Sequence, residues 1–178
     1  MRGAAQVFSS ARNEPDRKGG STDDWGTPQK FYDLLHGEFN FELDPCARDE
    51  TIAKCDLFIT PELDGLKFSW EKKTAFVNFP YSNAKEWALK CVVEAGHGST
   101  VVVLCAARTD TAWWQALARR AAEVRFIKGR LSFVGPAGQG VGAPFPSSVI
   151  VLRPGCQQWN TDKTPQMRLW DVPSEVRR

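Results

Sequence analysis

The sequence predicts an α/β fold, a mostly parallel sheet with helices on its faces and an antiparallel hairpin at its end. Three observations carry this reading. Strand-like and helix-like segments alternate from Thr74 to Ile127, the order that builds a parallel sheet. The run Thr100 to Cys105 is continuously apolar and rich in valine, the pattern of a strand covered on both faces. The closing strands, 131–134 and 148–152, have no helix between them, which predicts the terminal hairpin.

Taken in order, residues 1–22 are polar and aperiodic and read as a disordered arm. Thr27-Pro28 opens a helix, with Thr27 at the N-cap, Pro28 at the first helical position, and Phe31, Leu34 and Leu35 on one face. Phe39 to Leu43 alternates as a strand does and stops at the Asp44-Pro45 turn. Asp56 to Thr60 is a short candidate strand, followed by the loop Asp64-Gly65-Leu66. Thr74 to Val77 is an apolar strand that runs into Asn78-Phe79-Pro80-Tyr81. Ala84, Trp87, Ala88, Cys91, Val92 and Ala95 fall on one helical face, capped by Asn83 and stopped by Gly96. Asp110 caps a helix carrying Trp113, Trp114, Leu117 and Ala121. Val124–Ile127, Leu131–Val134 and Ser148–Leu152 are strands, the last two separated by the Gly/Pro loop 135–147, and residues 155–178 read as a polar tail. The expected organisation is an arm (1–22), one domain (23–154) and a tail (155–178).

At 178 residues, with 42% hydrophobic and 25% charged residues, the chain can bury one core. Its longest apolar run, Val101 to Ala107, is far too short to span a bilayer, and no apolar segment precedes the first charges. A cytoplasmic protein without a membrane partner is expected. Five cysteines with no C-x-x-C pair, beside two histidines, read as reduced thiols with no metal site. Charge is distributed unevenly. Residues 21–80 carry 6 basic and 12 acidic groups, whereas residues 81–178 carry 13 and 7. Such asymmetry suits a cationic ligand at one end and a polyanion at the other, or is ordinary solvated charge.

Ligands of α/β sheets sit at the carboxyl ends of the strands, which places Asp44-Pro45 and Asn78–Tyr81 on one rim. An amide, a rigid turn and an aromatic ring there suit a planar amine. The Asn78 side-chain oxygen and the Phe79 carbonyl can accept its two N–H bonds while Tyr81 stacks on its ring. Two acceptors localise a lone pair otherwise delocalised into the ring and aim it at an electrophile. The same four residues also suit a tight turn with a core tyrosine, so the tetrapeptide alone leaves both readings open. Between residues 101 and 135, Arg108, Arg119, Arg120, Arg125, Lys128 and Arg130 face only Asp110 and Glu123 in the charge balance. Arg108, Lys128 and Arg130 are the candidate phosphate contacts, and Arg119, Arg120 and Arg125 also read as a solvated face.

Seven motifs stand in order: Asp24-Trp25-Gly26-Thr27-Pro28, Leu43-Asp44-Pro45-Cys46-Ala47, Asp64-Gly65-Leu66 with Trp70, Asn78-Phe79-Pro80-Tyr81-Ser82, Ala107-Arg108-Thr109-Asp110-Thr111, Gly129-Arg130-Leu131-Ser132-Phe133 and Pro144-Phe145-Pro146-Ser147. On these the chain, from about Asp24 to Pro154, resembles the phage-type DNA N-6-adenine methyltransferases. The resemblance implies a Rossmann-like class I methyltransferase fold, S-adenosylmethionine as cofactor, and double-stranded DNA as partner. It implies methylation of a flipped adenine at its exocyclic N6 amine, in the cytoplasm of a phage host, by a monomer or weak dimer. Catalytic residues would be Asn78, Phe79, Pro80 and Tyr81. Trp25, Thr27, Pro28, Asp44 and Pro45 would contact the methionine part and ribose of the cofactor, Asp64 its adenine amino group, with Cys46, Leu66 and Asn78 beside them. As alternatives, Asp44 and Asp64 serve only as turn residues.

Three features depart from the common methyltransferase or family pattern. The glycine-rich loop common in methyltransferases is missing, since Phe41 to Ala47 contains no glycine. Asp44 and Asp64 are separated by only 20 residues, too few for a full helix, strand and loop, a compression the family shares and one that leaves the ribose-binding residue open. Phe79 replaces the first of the two prolines in the motif; it keeps the carbonyl and, preceding Pro80, an extended backbone, but loses the locked φ. Cytosine-N4 methylation, methylation of an RNA or protein amine, and a degenerate nucleic-acid-binding module are the competing readings.

Overall fold

The computed structural model describes residues 23, 25–135, 138, 140–156 and 164–178, apart from the side chain of Val141. The expected arm, 1–22, and Asp24 lie outside the described residues. A seven-stranded sheet holds β1 (Leu43–Asp44), β2 (Leu57–Phe58), β3 (Thr74–Val77), β4 (Thr100–Ala106), β5 (Glu123–Ile127), β8 (Ser147–Leu152) and β9 (Gln166–Trp170), in the order β2-β1-β3-β4-β8-β5-β9. Pairing is parallel throughout except at β8, which runs antiparallel to both β4 and β5. A separate ribbon pairs β6 (Ser132–Val134) with β7 (Gly140–Gly142). The helices are α1 (Gln29–Phe39), α2 (Ala84–Gly96) and α3 (Ala112–Ala118).

The mixed α/β architecture and mostly parallel sheet agree with the sequence reading; the terminal hairpin does not. Ser147–Leu152 lies inside the sheet, and 131–134 leaves it to pair with β7. The reason is burial. All six residues of β8 are buried, whereas Ser132 and Val134 are half-buried, and only a strand apolar on both faces suits an interior position.

The expected tail is also different. Gln166–Trp170 adds β9 to the sheet by parallel pairing with β5, and Val172 is buried behind it. Four of the five β9 side chains are exposed, so a polar edge strand looks like a tail in composition. Phe39 to Leu43 is not one strand either. Phe39 closes α1, Asn40 ends it at φ 52°, and only Leu43–Asp44 is extended. Phe39 and Phe41 still bury together, with ring centroids 5.8 Å apart, which is what imitates strand alternation.

The core has two layers. Trp87, Ala88, Cys91 and Val92 of α2 and Trp114 and Leu117 of α3 cover one face of the sheet, against Val101, Val103, Ile150 and Leu152. Phe31, Tyr32 and Leu35 of α1, with Leu131 and Phe133, cover the other, against Phe76, Val102, Leu104 and Val149. On α1 the inward positions are Phe31, Tyr32, Leu35 and Phe39; Leu34, expected inside, is exposed. Capping differs as well. Pro28, not Thr27, is the N-cap of α1, and Thr111, not Asp110, precedes α3. Asn83 holds the expected N-cap position of α2 without a side-chain bond.

Arg125, read as one of a solvated face, is 1% exposed. Its guanidinium donates to Glu38 (2.6 Å) and Glu123 (2.8 Å) and packs over the Phe39 and Trp170 rings. It therefore ties β5, α1 and β9 together. Arg125→Met is expected to destabilise the protein by about 2 kcal/mol, below the usual cost of a broken buried pair because Glu38 is half open to solvent. Urea titration checks this; an unchanged midpoint would count against the clamp.

Candidate active site

From β1 the chain passes to β2 on one side, and β3 then lies on the other side of β1. The carboxyl ends of β1 and β3 thus flank a topological switch point, where such sheets bind ligands. A cleft of about 250 Å³ opens there, lined by Pro45, Cys46, Ile59, Asp64, Leu66 and Trp87 among others. Asp64 has φ 63° and accepts a hydrogen bond from Leu66 N at 3.1 Å. The Lys67 ammonium, 3.1 Å away, holds its carboxyl below the usual range. Gly65 is required for close approach, since a Cβ there would lie 1.9 Å from the Pro45 carbonyl oxygen. The Gly65 carbonyl in turn accepts from Trp70 Nε1 at 3.2 Å, so the loop is fixed from both sides.

The residues expected at the cofactor divide. Pro45, Cys46, Asp64 and Leu66 line this cleft; Trp25 and Asn78 line a second, smaller cavity; Thr27, Pro28 and Asp44 line neither. Asp44 is 5% exposed, and its carboxylate accepts from Cys46 N (3.2 Å) and Lys54 N (3.1 Å). It organises the 45–54 loop from beneath. Burial raises its carboxyl to about 6, opposed by those two backbone bonds.

The sign of the linkage follows. An acid whose folded pKa is raised binds more protons folded than unfolded, so its contribution to stability falls as pH rises from about 4 to about 6. Asp44→Asn is expected to remove this slope from a urea-denaturation series over that range. A series unchanged by the substitution would refute the assignment. Burial also pushes the Cys46 thiol upward, which leaves it a neutral wall of the cleft rather than a nucleophile.

Beside the cleft, Asn78, Phe79 and Tyr81 meet Asp23, Trp25, Phe133 and Phe145 around a cavity of about 10 Å³. Asn78 Nδ2 donates to the Thr27 hydroxyl (3.2 Å) and to the Trp25 carbonyl (3.4 Å). Among the described residues, none donates to Asn78 Oδ1 or to the Phe79 carbonyl. Tyr81 is half-buried, and its hydroxyl accepts from Ala106 N at 2.7 Å. Burial pushes its phenol well above the usual value, so it remains neutral. Its ring meets Phe145 edge-on at 5.4 Å. Phe79 turns the other way and is 3% exposed, stacked near Trp87 with an interplanar angle of 13°. Pro80, at φ −65° and ψ 129°, joins β3 to a 3₁₀ turn, Tyr81–Asn83. The Asp23 carboxylate accepts from Tyr81 N (2.7 Å) and Ser82 N (3.3 Å), holding the start of that turn.

Sequence reasoning missed Asp23, Phe133 and Phe145 here and gave Thr27 other roles. Asp23 acts on a turn 58 residues away, beyond any local capping signature. Thr27 is expected as a helix cap and as a cofactor contact, and its hydroxyl meets Asn78. Phe133 and Phe145 stand in two of the ordered motifs, but only the folded chain brings their rings to Tyr81 and Trp25.

The candidate phosphate contacts share this side of the sheet. β4 and β5 both run antiparallel to β8, so Arg108 follows β4, and Lys128 and Arg130 follow β5, at one carboxyl rim. All three are exposed. Arg108 lies close enough to Tyr81 to act on its phenol, whereas Lys128 pairs with Asp171 at 2.9 Å. No group of three or more His, Cys, Asp or Glu residues that could hold a metal occurs among the described residues. Nor is any described helix long and apolar enough to cross a membrane.

Fold and site define an α/β protein with a ligand cleft at a sheet switch point and two unengaged acceptors beside an aromatic ring at its edge. Residues 15–173 match the family described as DNA N-6-adenine-methyltransferase (Dam), and the chain belongs to that family. It is similar to the DNA N-6-adenine-methyltransferase of Haemophilus phage HP1 (strain HP1c1), at 32% identity over 114 residues, 62% of this chain and 65% of that protein. It is also similar to the DNA N-6-adenine-methyltransferase of Escherichia phage T1, at 26% identity over 171 residues, 86% of this chain and 71% of that protein. The family match extends beyond Pro154 through β9, in keeping with the place of that strand in the sheet.

Proposed function

We propose that the protein transfers the methyl group of S-adenosylmethionine to the exocyclic N6 amine of an adenine extruded from double-stranded DNA. The observation that carries this reading is the pair of unengaged acceptors, Asn78 Oδ1 and the Phe79 carbonyl, at the carboxyl end of β3 beside the switch-point cleft. A Rossmann-like class I methyltransferase fold is the finer reading of the sheet, supported by the switch point between β1 and β3.

The cleft residues fit the cofactor. Ile59, Leu66 and Trp87 offer apolar surface to a nucleoside, and Asp64 stays ionised at the edge, where a positively charged ligand is favoured. Pro45, Cys46, Asp64 and Leu66 would hold it. When bound, it supplies an electrophilic methyl group. Asn78 Oδ1 and the Phe79 carbonyl accept the two N–H bonds of the amine, and the Tyr81 ring supports the face of the base. The nitrogen gives up one proton to water after transfer; no histidine lines either cavity.

A cavity of about 10 Å³ holds one water at most. Base entry therefore requires the Phe145 ring to leave Tyr81, and the bound base replaces that aromatic contact with its own. Arg108, Lys128 and Arg130 supply phosphate contacts, the salt-dependent part of the affinity. Incubation with methyl-labelled S-adenosylmethionine and unmethylated duplex DNA, then digestion to nucleosides, tests the reading. Label in N6-methyladenine is expected. Label in N4-methylcytosine would move the reaction to the other base, and cofactor binding without label in DNA would indicate a binding module.

A further inference from the structure

We infer that Thr27 is a positioning residue for the Asn78 amide, anchoring its NH₂ end while the Trp25 carbonyl sets which end meets the target amine, rather than a cofactor contact. The inference rests on the proposed methyl transfer only for its kinetic readout.

An asparagine amide has two ends of nearly equal size and opposite function. Only its oxygen end can accept an N–H from the target amine, and presenting the NH₂ end would set donor against donor. Rotation of the amide by 180° exchanges the two, so a site using Asn78 as an acceptor needs a device that fixes the orientation. Two groups contact the NH₂ end. The Trp25 carbonyl, 3.4 Å from Nδ2, is acceptor-only and would repel Oδ1 in the reversed orientation. The Thr27 hydroxyl, at 3.2 Å, supplies the shorter of the two bonds; able to accept or donate, it holds the amide in place while the Trp25 carbonyl sets its sense.

Thr27 is 2% exposed and lines neither cavity, so its side chain faces Asn78 and not a ligand. The segment carrying both groups is itself anchored. Gly26 exchanges two backbone bonds of 2.8 Å with Val134 of β6, and the Pro28 carbonyl accepts from Tyr32 N at the start of α1. The orienting groups are thus held by elements outside the β3 turn. Pro28 takes the N-cap position, so Thr27 lies before the helix and its hydroxyl meets Asn78 instead.

Thr27→Val keeps shape and burial and removes the acceptor, while Thr27→Ser restores it. In single-turnover assays at saturating cofactor, Thr27→Val is expected to lower the methyl-transfer rate at least tenfold with the cofactor Kd changed less than twofold. Thr27→Ser is expected to recover most of the loss. Combined with Asn78→Ala, Thr27→Val should cause no further loss, since an effect routed through the amide disappears with it. A readout independent of turnover is the Asn78 side-chain NH₂ signal in a ¹⁵N-labelled protein. Its protons should exchange faster with solvent in Thr27→Val than in the parent or in Thr27→Ser. A Thr27→Val protein with parental rate and parental exchange overturns the inference. So does one whose cofactor affinity falls while the saturated rate is kept, which would return Thr27 to the cofactor. A parent protein that leaves DNA unlabelled overturns the proposed transfer instead, and the exchange measurement still decides the role of Thr27.

Discussion

Asn78→Ala is expected to lower the rate of methyl transfer by at least about 10²-fold, the scale set when one preorganised polar group is removed from a transition-state site. The amine of a nucleobase is a weak nucleophile until both N–H bonds are held by acceptors, and no described residue donates to Asn78 Oδ1. Cofactor affinity should change little, because the switch-point cleft is lined by other residues. Stability should fall by about 1 kcal/mol, since the Trp25 carbonyl and the Thr27 hydroxyl lose a donor. Asn78→Asp is not a conservative rescue. It places a second oxygen against the acceptor-only Trp25 carbonyl, and so should also be severely impaired. Single-turnover assays with labelled cofactor, beside equilibrium cofactor binding, separate the two quantities. A variant that keeps the parental rate would remove Asn78 from the chemistry.

The sequence made this rim legible because two local signals coincide there. Thr74–Val77 reads as a strand from its apolar run, and the Asn78–Tyr81 turn follows it directly, so parallel topology alone places the turn at the carboxyl edge. β4 and α2 were equally plain, one from unbroken apolarity and the other from a helical face of Ala84, Trp87, Ala88, Cys91, Val92 and Ala95. What stayed hidden depends on long-range pairing. Nothing local in Gln166–Trp170 distinguishes an edge strand from a tail, because β5 supplies the pairing and most of its side chains remain in solvent. Arg125 looks like any surface cation until Glu38, 87 residues away, is folded against it. Thr27 misled for a related reason. Its neighbour Pro28 and the helix that follows mark a cap, but Pro28 itself takes the N-cap position, which leaves Thr27 one residue before the helix with its hydroxyl against Asn78. Asp44 was legible as a strand-ending residue, and its carboxylate accepts two backbone bonds from the loop that follows.

Phe79→Pro, which installs the proline that the family motif carries, is expected to destabilise the protein by about 3 kcal/mol and to leave methyl transfer no faster than in the parent. The substitution looks like a repair because the proposed mechanism asks only a carbonyl of this position, and proline keeps that carbonyl with a locked φ. The ring argues otherwise. Phe79 is 3% exposed, stacks near Trp87, and meets Trp113 and Tyr81 edge-on with centroids 5.7 and 6.2 Å away. Proline fills little of that volume, and the loss of the ring reaches both cavities, because Trp87 lines the switch-point cleft and Tyr81 the smaller cavity beside Asn78. For a chain of this size a loss of that order lowers Tm by roughly 6–12 °C. Phe79→Leu, which refills part of the space without locking φ, should fall between parent and Phe79→Pro in Tm. If Phe79→Pro instead kept the parental Tm and transferred methyl groups faster, backbone constraint would outweigh packing at this position. The ring would then be incidental to the site. With Trp87 and Trp113 both packed on it, Phe79 takes over by packing the rigidity that proline provides through its ring, with one side chain bracing the switch-point cleft and the smaller cavity together.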